Sequence, residues 1–287
     1  MRAVILARMN VADRQRPSPG ELYLDHVSHF VADLDAAAHA CEALGLKVTP
    51  TSVQQTPEGP VGASNRCVML EEGYIELLSP TQDTPAANRM RDAMRRYEGV
   101  HLLCFGTPDA EGEHRRLQTH GFEPQPLVDL SRGVAGGTAR FKVVRPAPEK
   151  MPEGRIQYVE HLTPAHVWRA PEVNPLRLTE VFVVADDPVE TAARWARFAG
   201  LLPGAHDGGV RLETARGSIF IGTRAAVAKV LGKAPAAPAI AGYALACGHP
   251  DDLAARCRKQ GIAVHKHGAR YAAKLPAALG GVWLLHL

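Results

Sequence analysis

The feature that most constrains this 287-residue chain is an internal repeat. Four times, an apolar run typical of a β-strand meets an Asp or Pro, then a helical stretch, then a glycine followed by an apolar residue. Asp caps the start of a helix, Pro is tolerated in its first turn, and Gly adopts the left-handed conformation that ends it. Four such sets in the same order predict one supersecondary unit used four times.

Further strand-like runs follow each helical stretch, so each unit is predicted to contain a strand, a helix and about three more strands. The predicted fold class is α+β, with four βαβββ modules paired into two curved-sheet domains. The predicted divisions are an N-terminal tail (1–20), a first domain (21–164), a linker (165–176) and a second domain (177–287).

The composition excludes several classes of protein. Lys plus Arg is 33 and Asp plus Glu is 30, so the net charge of +3 gives no electrostatic footprint for nucleic acid. The sequence contains no run of eighteen apolar residues, so no membrane-spanning helix is predicted. The five cysteines are odd in number and lack a CxxC pair, which favours a reducing compartment. Because the tail has no signal-peptide pattern and is interpreted as loose, we expect a cytoplasmic protein.

The βαβββ repeat resembles the vicinal oxygen chelate superfamily, which includes glyoxalase I, extradiol dioxygenases and bleomycin-resistance-type proteins. The segments LDHVSHFVADLDAAAHACEALGL and NRCVMLEEGYIELLSP are most similar to the glyoxalase-like members. The resemblance implies that two units pair and that their curved sheets close around a cavity. It also implies metal ligands on the inner faces of the first and last strands of each unit.

Alignment of the first two units on this resemblance identifies four candidate metal ligands. His26 lies 19 residues before Gly45 (45 minus 26), and His101 lies 20 before Gly121 (121 minus 101). The frames ExLSP and ExLTP place Glu76 and Glu160 at matching positions. Imidazole and carboxylate together suit a divalent metal ion such as Zn, Ni, Co, Mn or Fe.

In the favoured hypothesis the chain is a metal-dependent enzyme of lyase or isomerase type, acting on a small oxygen-rich substrate through a metal-stabilised anion. His26, Glu76 and His101 hold the ion, while Glu160, a fourth ligand, can also release and shuttle a proton. Arg66 and Arg140 begin matching strands and are candidates for substrate binding.

Three neighbours of these candidates complete the predicted site. Asn65 is also a candidate for substrate binding because it adjoins Arg66. Asp25, beside His26, could orient that strand, but it is interpreted as a surface residue. By strand alternation His161 points away from Glu160 and is disfavoured as a ligand in the same cavity.

Two alternatives remain open. A metal-free protein of the resistance type could bind a small molecule in the same cavity. An extradiol-type Fe(II) dioxygenase is disfavoured because that group carries its ligands in the C-terminal pair of units. In this chain the C-terminal pair lacks the candidate ligands and is predicted to be structural or lid-forming. Two units in one chain complete a cavity, although a homodimer stays open.

Overall fold

The computed structural model describes residues 10–287 and confirms the predicted α+β fold class. The described residues form sixteen strands and seven α-helices, arranged as four βαβββ units. The first unit comprises β1 (Tyr23–Phe30), α1 (Leu34–Glu42), β2 (Ser52–Thr56), β3 (Gly59–Glu72) and β4 (Tyr74–Pro80). The second comprises β5 (Gly99–Gly106), α3 (Ala110–Thr119), β6 (Val128–Val134), β7 (Gly137–Val144) and β8 (Arg155–His161).

The third unit comprises β9 (Asn174–Val184), α5 (Pro188–Ala199), β10 (Pro203–His206), β11 (Gly209–Glu213) and β12 (Ser218–Gly222). The fourth comprises β13 (Ala239–Cys247), α7 (Pro250–Lys259), β14 (Val264–His267), β15 (Arg270–Lys274) and β16 (Val282–His286). The helices that connect successive units are α2 (Pro85–Arg96), α4 (Pro164–Val167) and α6 (Arg224–Leu231).

The predicted helix boundaries have a clear physical basis in the structure. The side chains of Asp33, Asp109 and Asp187 accept hydrogen bonds from backbone N–H groups in the first turns of α1, α3 and α5. The fourth helix, α7, follows His249 without a side-chain cap. The glycine that follows each helix has a positive φ, between 66° and 79°, at positions 45, 121, 200 and 261.

The first two units close into a continuous ring of eight strands. Within each unit the first strand pairs in parallel with the fourth, and β1 pairs antiparallel with β5 between units. The ring closes on its far side where β2 pairs with β6, with Gln54 opposite Arg132 and Gln55 opposite Ser131. We call strands β1–β8 the N-terminal ring. Its inner face surrounds a cavity, as the resemblance implies.

The last two units form an open sheet instead, which we call the C-terminal sheet (β9–β16). Its order is β10-β11-β12-β9-β13-β16-β15-β14, and among residues 10–287 no ladder joins β10 to β14. Helix α6 packs on one face of this sheet through Val227 and Leu231, which join an apolar cluster with Phe182 and Phe220. The space that is a cavity in the N-terminal ring is therefore filled by apolar side chains here.

The two halves share one large apolar core and a strand pairing. Val27 and Phe105 of the ring belong to the same buried cluster as Trp195 and Trp283 of the C-terminal half. β3 also pairs with β9, with Leu70 opposite Asn174. Residues 174–176, predicted as linker, thus belong to β9. Within residues 10–287, no helix combines the length and apolar character that a transmembrane segment requires.

The predicted loose tail is corrected by the structure where it is described. Residues 1–9 lie outside the described part of the chain, whereas residues 10–20 pack against the ring. The Gln15 side chain is fully buried, donates to the carbonyl oxygen of Glu71 at 2.8 Å and accepts from the backbone N–H of Gly73 at 3.2 Å. Its amide therefore satisfies backbone groups at the hairpin between β3 and β4.

Candidate active site

The polar centre of the N-terminal ring is the carboxylate of Glu76, on the inner face of β4. Glu76 is only 4% exposed. Its Oε1 accepts hydrogen bonds from Asn65 Nδ2 at 2.6 Å and from Gln54 Nε2 at 3.0 Å, and its Oε2 accepts one from the Ser28 hydroxyl. These donors come from three different strands and stabilise the ionised carboxylate inside the protein.

His26 stands beside this carboxylate on the inner face of β1. Its ring stacks on Tyr74 with 4.2 Å between centroids, and its Nε2 lies 4.0 Å from Glu76 Oε2. The other ring nitrogen, Nδ1, lies 2.6 Å from Asp25 Oδ1. His26 therefore presents Nε2 to the cavity while its orientation is fixed from behind.

Asp25 is buried because β1 contains an irregularity at this residue. Leu24 pairs with Phe105 and His26 pairs with the adjacent Cys104, so Asp25 is an extra residue in the ladder. A β-bulge of this kind re-aims a side chain that simple alternation would direct elsewhere. The interpretation of Asp25 as a surface residue is wrong, since its side chain is fully buried.

A second histidine completes the hydrogen bonding of Asp25. His161 Nε2 lies 2.9 Å from Asp25 Oδ2, so the carboxylate bridges His161 and His26. Burial alone would raise the pKa of Asp25, but the two histidines outweigh burial and hold that pKa well below its usual range. Asp25 is therefore an anion that accepts from both rings, which makes Nδ1 of His26 the protonated nitrogen.

Arginines and glutamines of the second unit line the rest of the cavity. Arg132 of β6 is buried and places its guanidinium 5.9 Å from the Phe141 ring. Arg145 follows β7 and donates from Nε to Gln157 Oε1 at 3.0 Å. Arg155 begins β8 and lies over the Phe30 ring at 5.2 Å. The wall opposite Glu76 is thus strongly basic.

The cavity has two adjoining chambers that share part of their lining. The inner chamber, lined by His26, Glu76 and Asn65, has a volume of about 30 Å³, which suits one water-sized group. The outer chamber lies between the ring and α2 and has about 330 Å³. Gln54, Arg145 and Arg155 line both chambers. A small molecule held in the outer chamber can therefore extend one reacting group toward His26.

The structure does not bring His101 into the inner chamber. Its Nε2 lies 2.9 Å from the carbonyl oxygen of Tyr97, and its ring packs against Tyr97 at 4.2 Å. Burial lowers its pKa to about 4, so the ring is neutral near pH 7. His101 lines the outer chamber, away from Glu76. Its predicted role as a ligand together with His26 is corrected.

Glu160 is also misplaced by the sequence prediction. On β8 the residues that line the inner chamber are Arg155, Gln157 and Val159, so Glu160 points to the opposite face. Its Oε2 accepts a hydrogen bond from the backbone N–H of Ala110 at 3.0 Å, at the start of α3. Glu160 therefore helps to satisfy a helix N-terminus, and the position contradicts its predicted ligand and catalytic roles.

The three candidate substrate-binding residues separate in the structure. Asn65 lines the inner chamber and donates to Glu76, so it remains a candidate. Arg66 lies on the opposite face of β3, where it pairs with Glu42 at 2.8 Å and donates to the Thr49 carbonyl oxygen at 2.9 Å. Arg140 is exposed on β7. The structure contradicts cavity roles for Arg66 and Arg140.

The predicted four-ligand metal site is therefore not assembled. Within residues 10–287 no group of three or more His, Cys, Asp and Glu side chains is arranged to hold a metal ion. Of the four predicted ligands, only His26 and Glu76 share the inner chamber. Glu76 already accepts three hydrogen bonds, which account for both of its oxygens. The donor set does not fit the predicted ion.

The alignment of the first two units explains why His101 and Glu160 were predicted as ligands. Ser28 and Cys104 lie five residues before the capping aspartates Asp33 and Asp109, and they pair with Glu76 and Gln157 respectively. The counterpart of Glu76 in the second unit is therefore Gln157. By the same offset the counterpart of His26 is Leu102, not the adjacent His101. A shift of one residue reverses the face of a strand.

Sequence reasoning missed Asp25, His161 and the basic wall. A signal for part of the wall was present, because Arg155 and Gln157 alternate with Ile156 and Tyr158 in the last strand of the second unit. Such alternation indicates a strand with one polar face. The bulge at Asp25 has no comparable signature in the sequence.

Comparison with known proteins agrees with this architecture. A search of curated proteins gives no significant match. A hypothetical protein from Staphylococcus aureus superposes with a TM-score of 0.68 and 13% identity, covering 92% of this chain and 99% of that chain. A mutant 4-hydroxymandelate synthase from Streptomyces coelicolor gives 0.55 and 15%, covering 92% of each chain. A catechol 2,3-dioxygenase gives 0.54 and 16%, covering 92% of this chain and 86% of that chain.

At these identities the superpositions show a shared fold alone. The sequence also matches the family model described as the Glyoxalase-like domain over residues 24–199. This match covers both units of the N-terminal ring and continues through α5. The chain therefore belongs to the Glyoxalase-like domain family of the vicinal oxygen chelate superfamily.

Proposed function

We propose that the N-terminal ring binds a small oxygen-rich organic molecule and catalyses a proton transfer on it, a reaction of lyase or isomerase type. One observation carries the proposal: His26 presents Nε2 to the inner chamber, 4.0 Å from Glu76, while Asp25 holds Nδ1 at 2.6 Å. A buried carboxylate behind an imidazole fixes the tautomer and stabilises the protonated ring.

His26 is the proposed general base. With its proton on Nδ1, the neutral ring has a lone pair on Nε2 that can accept a proton from a C–H group next to a carbonyl. The Glu76 carboxylate, held by Asn65, Gln54 and Ser28, then faces the positive ring and stabilises it. Returning the proton to a neighbouring carbon completes an isomerisation, whereas return to the same carbon from the same side regenerates the substrate and is detected only as hydrogen exchange.

The basic wall supplies the other half of the proposed chemistry. Arg132, Arg145 and Gln157 line the inner chamber opposite His26 and Glu76. Removing a proton next to a carbonyl leaves negative charge on the carbonyl oxygen. Donors fixed in a chamber with little room for water stabilise such charge more strongly than solvent does. Proton transfer and anion stabilisation are thus both available from residues of this chain.

The test is hydrogen–deuterium exchange followed by NMR. A panel of small carboxylates and small phosphate esters, each with a carbonyl or hydroxyl oxygen on the neighbouring carbon, is incubated with the protein in D₂O. We expect at least one member to exchange its C–H proton, and His26→Gln to slow that exchange at least ~100-fold. His120→Gln, a change at an exposed histidine that directly follows α3, is the matched control and keeps the wild-type rate.

Other outcomes separate the alternatives. Exchange that persists in His26→Gln contradicts the assigned base. Binding without exchange across the panel, unaffected by chelator, supports a metal-free binding protein. Oxygen uptake with a catechol supports the dioxygenase hypothesis. Exchange that is lost with chelator and restored by one metal ion supports a metal-dependent reaction.

A further inference from the structure

Four arginines line the outer chamber, and one of them, Arg96, donates to the carbonyl oxygens of Pro152 and Pro238. The other three have no acidic partner in the described part of the chain. Arg89 of α2, Arg145 and Arg155 all line this chamber. No Asp or Glu within residues 10–287 forms an ion pair with any of them, although Glu76 lies near enough to influence Arg145 and Arg155 electrostatically. Arg145 is held by Gln157, and Arg155 by the face of Phe30, so neither neighbour neutralises the charge.

Two partly buried arginines elsewhere in the chain are paired with acids, whereas Arg216 donates to the Arg14 carbonyl oxygen and to Gln15. Arg194 lies 2.6 Å from Glu153, and Arg211 lies 2.6 Å from Glu180. At these two positions an acid neutralises the arginine charge. In the outer chamber, burial together with Arg145 and Arg89 lowers the pKa of Arg155 to about 9. Placing like charges together costs free energy, which a bound anion would offset.

We propose that the outer chamber binds the phosphate group of a phosphorylated small molecule, whose other end extends toward His26. This inference rests on the proposed function and names its substrate class. A phosphate dianion neutralises two of the three charges, whereas a single carboxylate neutralises one. The guanidinium forks of arginines match the geometry of phosphate oxygens and can donate two hydrogen bonds each.

The dimensions of the cavity agree with one ligand that occupies both chambers. The outer chamber, of about 330 Å³, has room for a phosphate and a short carbon chain, while the inner chamber, of about 30 Å³, admits one small group. Arg145 and Arg155 line both, so they stand at the junction. The anion is therefore held beside the reacting group, where binding energy positions it for proton transfer.

The test is a titration of the full-length protein with inorganic phosphate, followed by calorimetry and by ³¹P NMR at constant ionic strength. We expect saturable binding, weakened about tenfold or more by Arg145→Gln and by Arg155→Gln. Arg140→Gln is the matched control, since it removes one exposed charge from β7 and should leave binding unchanged. Arg155→Lys, which keeps the charge but removes the fork, should give an intermediate loss.

Three results would overturn the inference. The first is the absence of phosphate binding by the folded protein. The second is a loss of phosphate affinity in Arg140→Gln as large as in the Arg145 and Arg155 variants. The third is acetate binding as tight as phosphate binding. Far-ultraviolet circular dichroism and thermal melting confirm that each variant is folded. His26→Gln should bind phosphate as wild type does. Phosphate binding without C–H exchange therefore contradicts the proposed function alone, and exchange without phosphate binding contradicts this inference alone.

Discussion

The two halves of this molecule repeat one plan and use its interior in opposite ways. The N-terminal ring is closed and polar inside, with Glu76, His26 and several arginines facing a cavity. The C-terminal sheet is open, and α6 fills the corresponding space with apolar side chains. A pair of βαβββ units therefore supplies a framework, and the residues at a few inward-facing positions decide whether that framework forms a site.

Equivalent positions make the difference concrete. In the ring, Ser28 lies opposite Glu76. In the third unit the equivalent position, five residues before the helix-capping Asp187, is Phe182, which lies opposite Phe220. The ring thus has a hydroxyl and a carboxylate where the C-terminal sheet has two phenyl rings 6.0 Å apart. Glu180 stands at the position of His26, but it is paired with Arg211 instead of facing a cavity.

Acid should distinguish the halves most strongly. Burial lowers the pKa of both His29 and His101 to about 4, whereas an unfolded histidine titrates near 6.5. Because the unfolded state binds more protons between these values, the free energy of unfolding falls as pH decreases from ~6.5 to ~4, by roughly 3 kcal/mol per histidine. The histidines of the C-terminal half are exposed or half-buried.

Hydrogen exchange with mass spectrometry at pH 7 and pH 4.5 would measure this difference. We expect the strands β1 and β5 to lose protection before β12 and β16. His29 also contacts Tyr243 and Leu279 of the other half, each at 2.9 Å, so His29→Gln should reduce the pH dependence of the interface. Equal loss of protection in both halves would contradict the prediction.

Phe220→Glu tests whether the C-terminal interior can accept the residue found in the ring. Phe220 is 2% exposed in an apolar cluster, and the His206 ring that packs against it, 5.7 Å away, is exposed to solvent. We expect a loss of about 4 kcal/mol in the free energy of unfolding, measured by urea denaturation. Phe220→Leu is the control and should cost about 1–2 kcal/mol. A loss of similar size in both variants would show that packing alone is responsible.

Asp25→Asn tests the support behind His26. The amide keeps the volume but carries no charge for His26 and His161. We expect a loss of roughly 2–3 kcal/mol at pH 7, which becomes smaller as pH falls below about 4, because the stabilisation from the depressed pKa of Asp25 is complete above the unfolded pKa and declines progressively toward the native pKa. Denaturation curves at pH 7 and pH 3 measure it. A loss that does not depend on pH would exclude the charge as its cause.

Arginine removal should have opposite signs in the two halves. Arg155→Gln relieves repulsion with Arg145 and Arg89, so we expect it to stabilise the protein by up to about 1 kcal/mol. Arg211→Gln leaves Glu180, which is 6% exposed, without its ion-pair partner and should destabilise by about 1–2 kcal/mol. Thermal melting without phosphate compares them, and destabilisation by both would contradict an uncompensated charge cluster in the ring.

Much of the architecture could be predicted from the signals that begin and end helices in the sequence. The capping roles of Asp33, Asp109 and Asp187 are local, because each side chain bonds to N–H groups two or three residues ahead. The candidate site was predicted only in part. His26 and Glu76 do share a chamber, but His101 and Glu160 were aligned one and three residues away from the positions that face it.

The order of strands and helices follows from local signals in the sequence, since caps, turns and apolar periodicity act over a few residues. Which polar side chains lie in contact depends on the tertiary structure. The bulge that buries Asp25, the closure of the ring at β2 and β6, and the gathering of Arg89, Arg145 and Arg155 depend on contacts between distant segments. Because adjacent residues of a strand face opposite sides, a register error of one residue exchanges the cavity for the core.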